Sequence, residues 1–283
     1  MQKRLDDEQV RRYRDDGIVF PLTAFEPGVA AAYLQKLQDQ ERQEGGKLTS
    51  SSNRKPHLLM PWLDELIRTP RILDAVEDLI GPNILCWTSS FFAKNARDPG
   101  FISWHQDATY WGLSTSDVLT AWVALTDSSI DNGCMQVVPG SHKAQIEHRD
   151  TFRPDNMLSR GQEIAVDVAP EQALPVLLEP GQFSIHNVLI IHGSEPNRSD
   201  RRRVGIAIRY IPTHVQQVLG VRDSAMLVRG IDEYGHFEPE ARPRMPFDEA
   251  AIAQHATAIA MQVHQAKAAE ARRSVAGRRQ GDR

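Results

Sequence analysis

The chain has 283 residues, 41% of them apolar, with 33 basic side chains against 37 acidic ones and a formal charge of −4. A sizeable core is therefore affordable in composition, disorder is not expected, and the slightly acidic balance gives no reason to propose nucleic acid as a partner. Two cysteines, Cys86 and Cys134, cannot build a disulfide framework or a cysteine-rich zinc site, and they read as reduced thiols.

The N-terminal stretch MQKRLDDEQVRRYRDDG is charged and has no apolar signal-peptide core, and no run reaches the ~18 apolar residues of a membrane span. The expectation is a soluble, cytoplasmic protein with no membrane partner. LDDEQVRRYRDDG predicts a helix ending at Gly17, followed by a strand-like IVFPL. EPGVAAAYLQKLQDQERQEGG predicts a second helix, with Pro27 near its start and Gly45-Gly46 past its end. GGKLTSSSNRKPH reads as a polar loop. PWLDELIRTPRILDAVEDLIG carries apolar residues at helical spacing and stops at Gly81-Pro82.

From residue 83 the texture changes to short β-branched and aromatic runs punctuated by Gly, Pro, Asn and Asp: NILCWTSSFFAK, FISWHQD, VLTAWVALTD, CMQVVPG, LPVLLEPG, QFSIH, VLIIHGS and RVGIAIRYIP. Many short strands with frequent turns suggest an antiparallel sandwich or barrel rather than β-α-β units. The tail from Pro246 returns to alanine-rich helix and ends in a basic RRSVAGRRQGDR, a frayed, solvated end. No repeat or low-complexity linker divides the chain. One domain over 1–283 is expected: a helical part to about 82, a β core over about 83–230, and a C-terminal helix over about 246–273.

Two H-x-D triplets occur, and about one is expected by chance. His105 and Asp107 sit in a strand-like run, where residues two apart share a face some 6–7 Å from each other and Gln106 faces the other way. His148 and Asp150 lie in SHKAQIEHRDTFRPDN, a charged segment without strand pattern that reads as a solvated loop. A face of two histidines and one carboxylate with open positions suits non-haem Fe(II), and His192, ending the apolar strand LIIHGSEPN, offers the second histidine. In RRRVGIAIRY, Val204, Ile206 and Ile208 alternate with Arg203, Gly205, Ala207 and Arg209. The apolar set should pack under the N-terminal helices, and the other should line a polar cavity. An arginine there can pair bidentately with a carboxylate. Arg198, Arg201 and Arg202 read as a basic surface loop.

Taken together, SWHQDATYW, AWVALTD, NGCMQVVPGSHK and HGSEPNRSDRRR resemble the phytanoyl-CoA dioxygenase family of Fe(II)/2-oxoglutarate oxygenases, in the family's order and over about residues 17–212. The resemblance implies a mainly β fold with flanking helices: a double-stranded β-helix (jelly roll, cupin-like) core with the N-terminal helices packed on one sheet. It implies iron on His105, Asp107 and His192, and Arg203, eleven residues after His192, on the far carboxylate of 2-oxoglutarate. It further implies that Ser194 adds a hydrogen bond to that cosubstrate, that Trp122 lines its pocket, and that Ser90 does so more weakly. The implied reaction uses Fe(II), 2-oxoglutarate and O2, hydroxylates an unactivated C–H bond of a small molecule, and releases succinate and CO2. Halogenating relatives replace the metal carboxylate by a small residue; Asp107 is present, which favours hydroxylation.

A cupin-type metal-dependent hydrolase or isomerase could use the same core without 2-oxoglutarate, but it would not need Arg203. A non-enzymatic binding module would not require the three ligands together. Fold and ligands do not encode the substrate. Lys47, Arg54, Lys55 and Arg209 could meet an anionic one. The loop 47–57, Arg97 and a lid over 145–175 are the candidates for selectivity.

Overall fold

Helix α1 (Asp7–Asp16) begins where Asp6 accepts the Gln9 backbone N–H while the Gln9 side chain accepts the Asp6 N–H, and it stops at Gly17, whose φ of 79° suits glycine. The structure is a computed structural model that describes residues 4–153, 155–158 and 162–281, with the side chains of Tyr110 and 273–281 outside the description. Strand β1 (Ile18–Thr23) and helix α2 (Pro27–Gln43) follow as the sequence predicts. The helical run from 61 is split into α3 (Pro61–Ile67) and α4 (Pro70–Ile80). Pro70 pushes Thr69 out of the helical region, to ψ 120°, and then opens the next helix itself.

The β core contains β2 (Ile84–Lys94), β3 (Ile102–His105), β4 (Leu119–Ala124), β5 (Met135–Val138), β6 (His148–Asp150) and β7 (Gln162–Ile164). It continues with β8 (Leu174–Pro175), β9 (Gln182–Asn187), β10 (Ile191–Ser194), β11 (Arg203–Pro212), β12 (Ser224–Arg229) and β13 (Glu238–Pro239). A seven-stranded sheet has the order β1-β9-β4-β11-β2-β12-β13, and a four-stranded one the order β3-β10-β5-β8. The two face each other across a cavity lined from both sides, which is the expected jelly roll.

Strand alternation divides the larger sheet as β11 predicts. Val204, Ile206 and Ile208 share one buried cluster with Leu63, Ile72 and Val76 of the helices. Arg203, Ala207 and Arg209 line the cavity on the other face. Trp122, Met135, Val137 and Leu178 pack between the sheets.

Three expectations are corrected. His148–Asp150 is no solvated loop: it is β6, paired with β7, and His148 is buried. The polar loop 47–57 ends in a fully buried Lys55, whose ammonium meets Glu240 Oε1 at 2.5 Å and Ser224 O at 2.7 Å, so it faces no substrate. The C-terminal helix α5 runs Glu249–Gly281, beyond the expected end near 273. The expected fraying of its basic tail concerns side chains from 273 on and residues 282–283, which lie outside the described residues. Gln265 of α5 donates to the Trp111 carbonyl at 2.7 Å and so ties this helix to the turn after β3. Among the described residues no helix is long and apolar enough to cross a membrane.

Candidate active site

Strands β3 and β10 pair with His105 opposite His192, and the two rings stand 4.1 Å apart. Asp107 does not continue the strand. It opens a single 3-10 turn, Asp107–Tyr110, which swings its carboxylate back to 3.5 Å from His105 Nε2. One donor atom from each of His105, Asp107 and His192 lies within 4.8 Å of the others. His105 Nδ1 sits 2.9 Å from the Ser103 carbonyl and His192 Nδ1 3.1 Å from that of Ile190. A carbonyl only accepts, so each Nδ1 carries the proton and each Nε2 keeps its lone pair for the cavity.

Burial drives His192 well below the usual imidazole range, reinforced by His105. Burial alone would raise the Asp107 carboxyl, but His105, His192 and Arg209 together outweigh it and hold it below the usual carboxylate range. Two imidazoles and one carboxylate on one wall match the donor set of a facial non-haem iron site.

The residue between the ligands anchors the turn. Gln106 is buried, its side chain donates to the Ala144 and Leu189 carbonyls, and its Oε1 accepts the Ile146 N–H at 2.8 Å. Its backbone N–H donates to His148 Nε2 at 2.8 Å, while His148 Nδ1 holds the Ile146 carbonyl. The second H-x-D triplet thus supports the first instead of competing with it.

At the other end of the cavity lies Arg203, 1% exposed. Its Nη1 donates to the Gly133 carbonyl, its guanidinium lies 5.4 Å over the Trp122 ring, and its Nε has no partner among the described residues. Burial lowers its pKa to about 10, so it stays cationic at neutral pH. Two glycines make room. A Cβ at Gly205 would stand 2.1 Å from the Trp122 ring, and one at Gly133 (φ 72°) 2.2 Å from the Glu195 carbonyl. Ser194 lines the cavity as expected and is held at 2.7 Å by Lys94, a buried amine whose pKa burial lowers to about 7 and which the sequence reading overlooked although it shares the cavity face of β2.

Thr120, His186 and Arg209 also line the cavity. Burial keeps His186 neutral, with its pKa lowered to about 4. The alternation in QFSIH, with Phe183 and Ile185 on the opposite face, carries the signal that could have found it. Ser90 does not line the cavity; it sits behind Arg209, whose Nη1 donates to it at 2.6 Å. Lys47 and Arg54 are exposed and absent from the lining, and Arg97 is an exposed partner of Asp200. Of the segment proposed as a lid, Leu158 reaches the cavity.

Comparison with known proteins gives this geometry a context. A probable alpha-ketoglutarate-dependent hypophosphite dioxygenase of Stutzerimonas stutzeri is 29% identical over 237 residues, covering 75% of this chain and 81% of that protein. The solved apo structure of a non-heme monooxygenase, ThoJ, is 36% identical with a TM-score of 0.83, covering 93% of this chain and 99% of that one. CytC3, solved with Fe(II) and alpha-ketoglutarate, is 28% identical with a TM-score of 0.63, covering 83% and 93%. Residues 3–205 match the family described as phytanoyl-CoA dioxygenase (PhyH). The chain belongs to the phytanoyl-CoA dioxygenase family of Fe(II)- and 2-oxoglutarate-dependent oxygenases.

Proposed function

We propose that the chain hydroxylates an unactivated C–H bond of a small molecule, with Fe(II) held by His105, Asp107 and His192 and with 2-oxoglutarate anchored by Arg203. One observation carries this reading: three metal-type donors and a buried arginine without a carboxylate partner among the described residues line the same cavity. When bound, the iron and the keto acid supply the oxidising chemistry, with O2 consumed and succinate and CO2 released. The protein's own part is to bind, orient and exclude water. Arg203 offers a fixed cation to the far carboxylate, Trp122 packs against that cation, and Ser194, held by Lys94, adds a donor or acceptor. Phe92, Ile102 and Met135 line the space with apolar surface. Asp107 would supply the metal carboxylate, which favours hydroxylation over halogenation.

A hydrolase or isomerase on this core would leave Arg203 buried without a counter-charge, so the oxygenase reading is preferred. The substrate is taken to be anionic because Arg209 adds a second cation to the lining. One domain is the natural unit, since the helices and the larger sheet share one buried cluster. The test is a metabolite screen scored by succinate release, together with Fe(II) titration. About one Fe(II) per chain should bind, and His105→Ala or His192→Ala should abolish binding. Asp107→Ala should lose hydroxylation. Chlorinated product from the parent enzyme in the presence of chloride would overturn the assignment.

A further inference from the structure

Besides Arg203 Nε, three buried side-chain atoms of the cavity lining have no hydrogen-bond partner among the described residues: Thr120 Oγ1, His186 Nδ1 and Arg209 Nε. They form a single row. Thr120 on β4 stands opposite His186 on β9 to one side and opposite Arg209 on β11 to the other. Neighbouring strands lie about 4.8 Å apart, so the three side chains leave the sheet side by side. Buried polar atoms are nearly always satisfied, and three exceptions in one row of one cavity mark a place shaped for a polar group. The row lies beside the metal donors, since the His186 ring is 5.1 Å from that of His192. It is separate from the Arg203 end, six residues or about 20 Å of backbone away along β11.

Charge decides what fits there. Arg209 has no carboxylate within ion-pair distance among the described residues; its Nη1 is held by the neutral Ser90 hydroxyl, and its guanidinium lies 5.6 Å from the Phe92 ring centroid. One negative charge on a ligand would give this buried guanidinium its counter-charge. We infer that Thr120, His186 and Arg209 form an oxyanion subsite that receives a carboxylate-sized, monoanionic group of the primary substrate. This assignment rests on the oxygenase reading above.

Titration calorimetry on Zn(II)-substituted protein, in which no turnover occurs, tests it. Four probes are used: 2-oxoglutarate, 2-oxopentanoate (which lacks the far carboxylate), and acetate or hypophosphite added to the 2-oxoglutarate-loaded protein. In Arg209→Gln, 2-oxoglutarate affinity should stay within about threefold, while acetate and hypophosphite binding should fall by roughly 30-fold or more. Thr120→Val, which removes one hydroxyl at constant shape, should weaken the same two probes about fivefold. Equal weakening of 2-oxoglutarate and 2-oxopentanoate in Arg209→Gln would instead give the row to the cosubstrate's own 1-carboxylate and overturn the inference. It also fails if the parent binds neither small anion, or if both variants bind them as the parent does. Absence of 2-oxoglutarate binding in the parent is a different result, and it sinks the oxygenase reading itself.

Discussion

Arg203 and Arg202 are adjacent in sequence and opposite in consequence. Arg203 is buried in the cavity, whereas Arg202 points to the other face and pairs bidentately with Glu41 at 2.6 and 2.7 Å. Removing one partner of a buried charge pair costs about 2–5 kcal/mol, so Arg203→Ala should weaken 2-oxoglutarate binding by about 30-fold or more with metal affinity largely intact. Arg202→Ala should bind 2-oxoglutarate like the parent. It should not be silent in stability, however, because it leaves the Glu41 carboxylate, 9% exposed, without its partner. A fully buried pair would cost about 3–5 kcal/mol; Arg202 keeps 28% exposure, which reduces the expected loss to about 1–3 kcal/mol. Calorimetric titration of 2-oxoglutarate into Zn(II)-loaded protein and urea unfolding of each variant separate the two effects. The reasoning is refuted if Arg202→Ala is the variant that loses 2-oxoglutarate, or if the two variants lose equal affinity.

His148→Ala should lower metal affinity about tenfold, as loss of an outer partner of a metal site does. A chelator competition showing unchanged affinity would return the His148 segment to the passive role its sequence suggests. Because His186 has a folded-state pKa of about 4 against an ordinary 6.5, its contribution to stability is fully present above 6.5 and is lost as pH falls toward 4. The difference is worth about 3 kcal/mol in the metal-free protein, and His186→Phe should flatten that part of the stability–pH curve; parallel curves would contradict it. Glu240→Ala strands the Lys55 ammonium in a site where both partners are at most 1% exposed, so it should cost about 3–5 kcal/mol in urea unfolding. A loss below about 1 kcal/mol would mean that Lys55 finds other compensation.

Much of this protein is legible in the amino-acid sequence because the relevant signals are local. Pro27, Gly17 and Gly81 punctuate the helices through backbone geometry that depends on no distant partner. The period-two alternation of Val204, Ile206 and Ile208 against Arg203, Ala207 and Arg209 assigns β11's two faces before any neighbour is known. The four motifs in register name the family and point to His105, Asp107, His192 and Arg203, which the fold brings to one cavity. Ser90, by contrast, is reached from the cavity only through Arg209. Tertiary structure decided the rest wherever a residue's environment is supplied by chain far away. Lys55 looks like any loop lysine until Glu240, 185 residues on, arrives to neutralise it. His148 looks solvated until Gln106 and Ile146 close on its two nitrogens. The cross-strand row of Thr120, His186 and Arg209 has no sequence signature, because strand pairing joins positions 66 and 89 residues apart. Burial and pairing belong to the assembled sheets, and only they turn ordinary polar side chains into a charged, water-poor site.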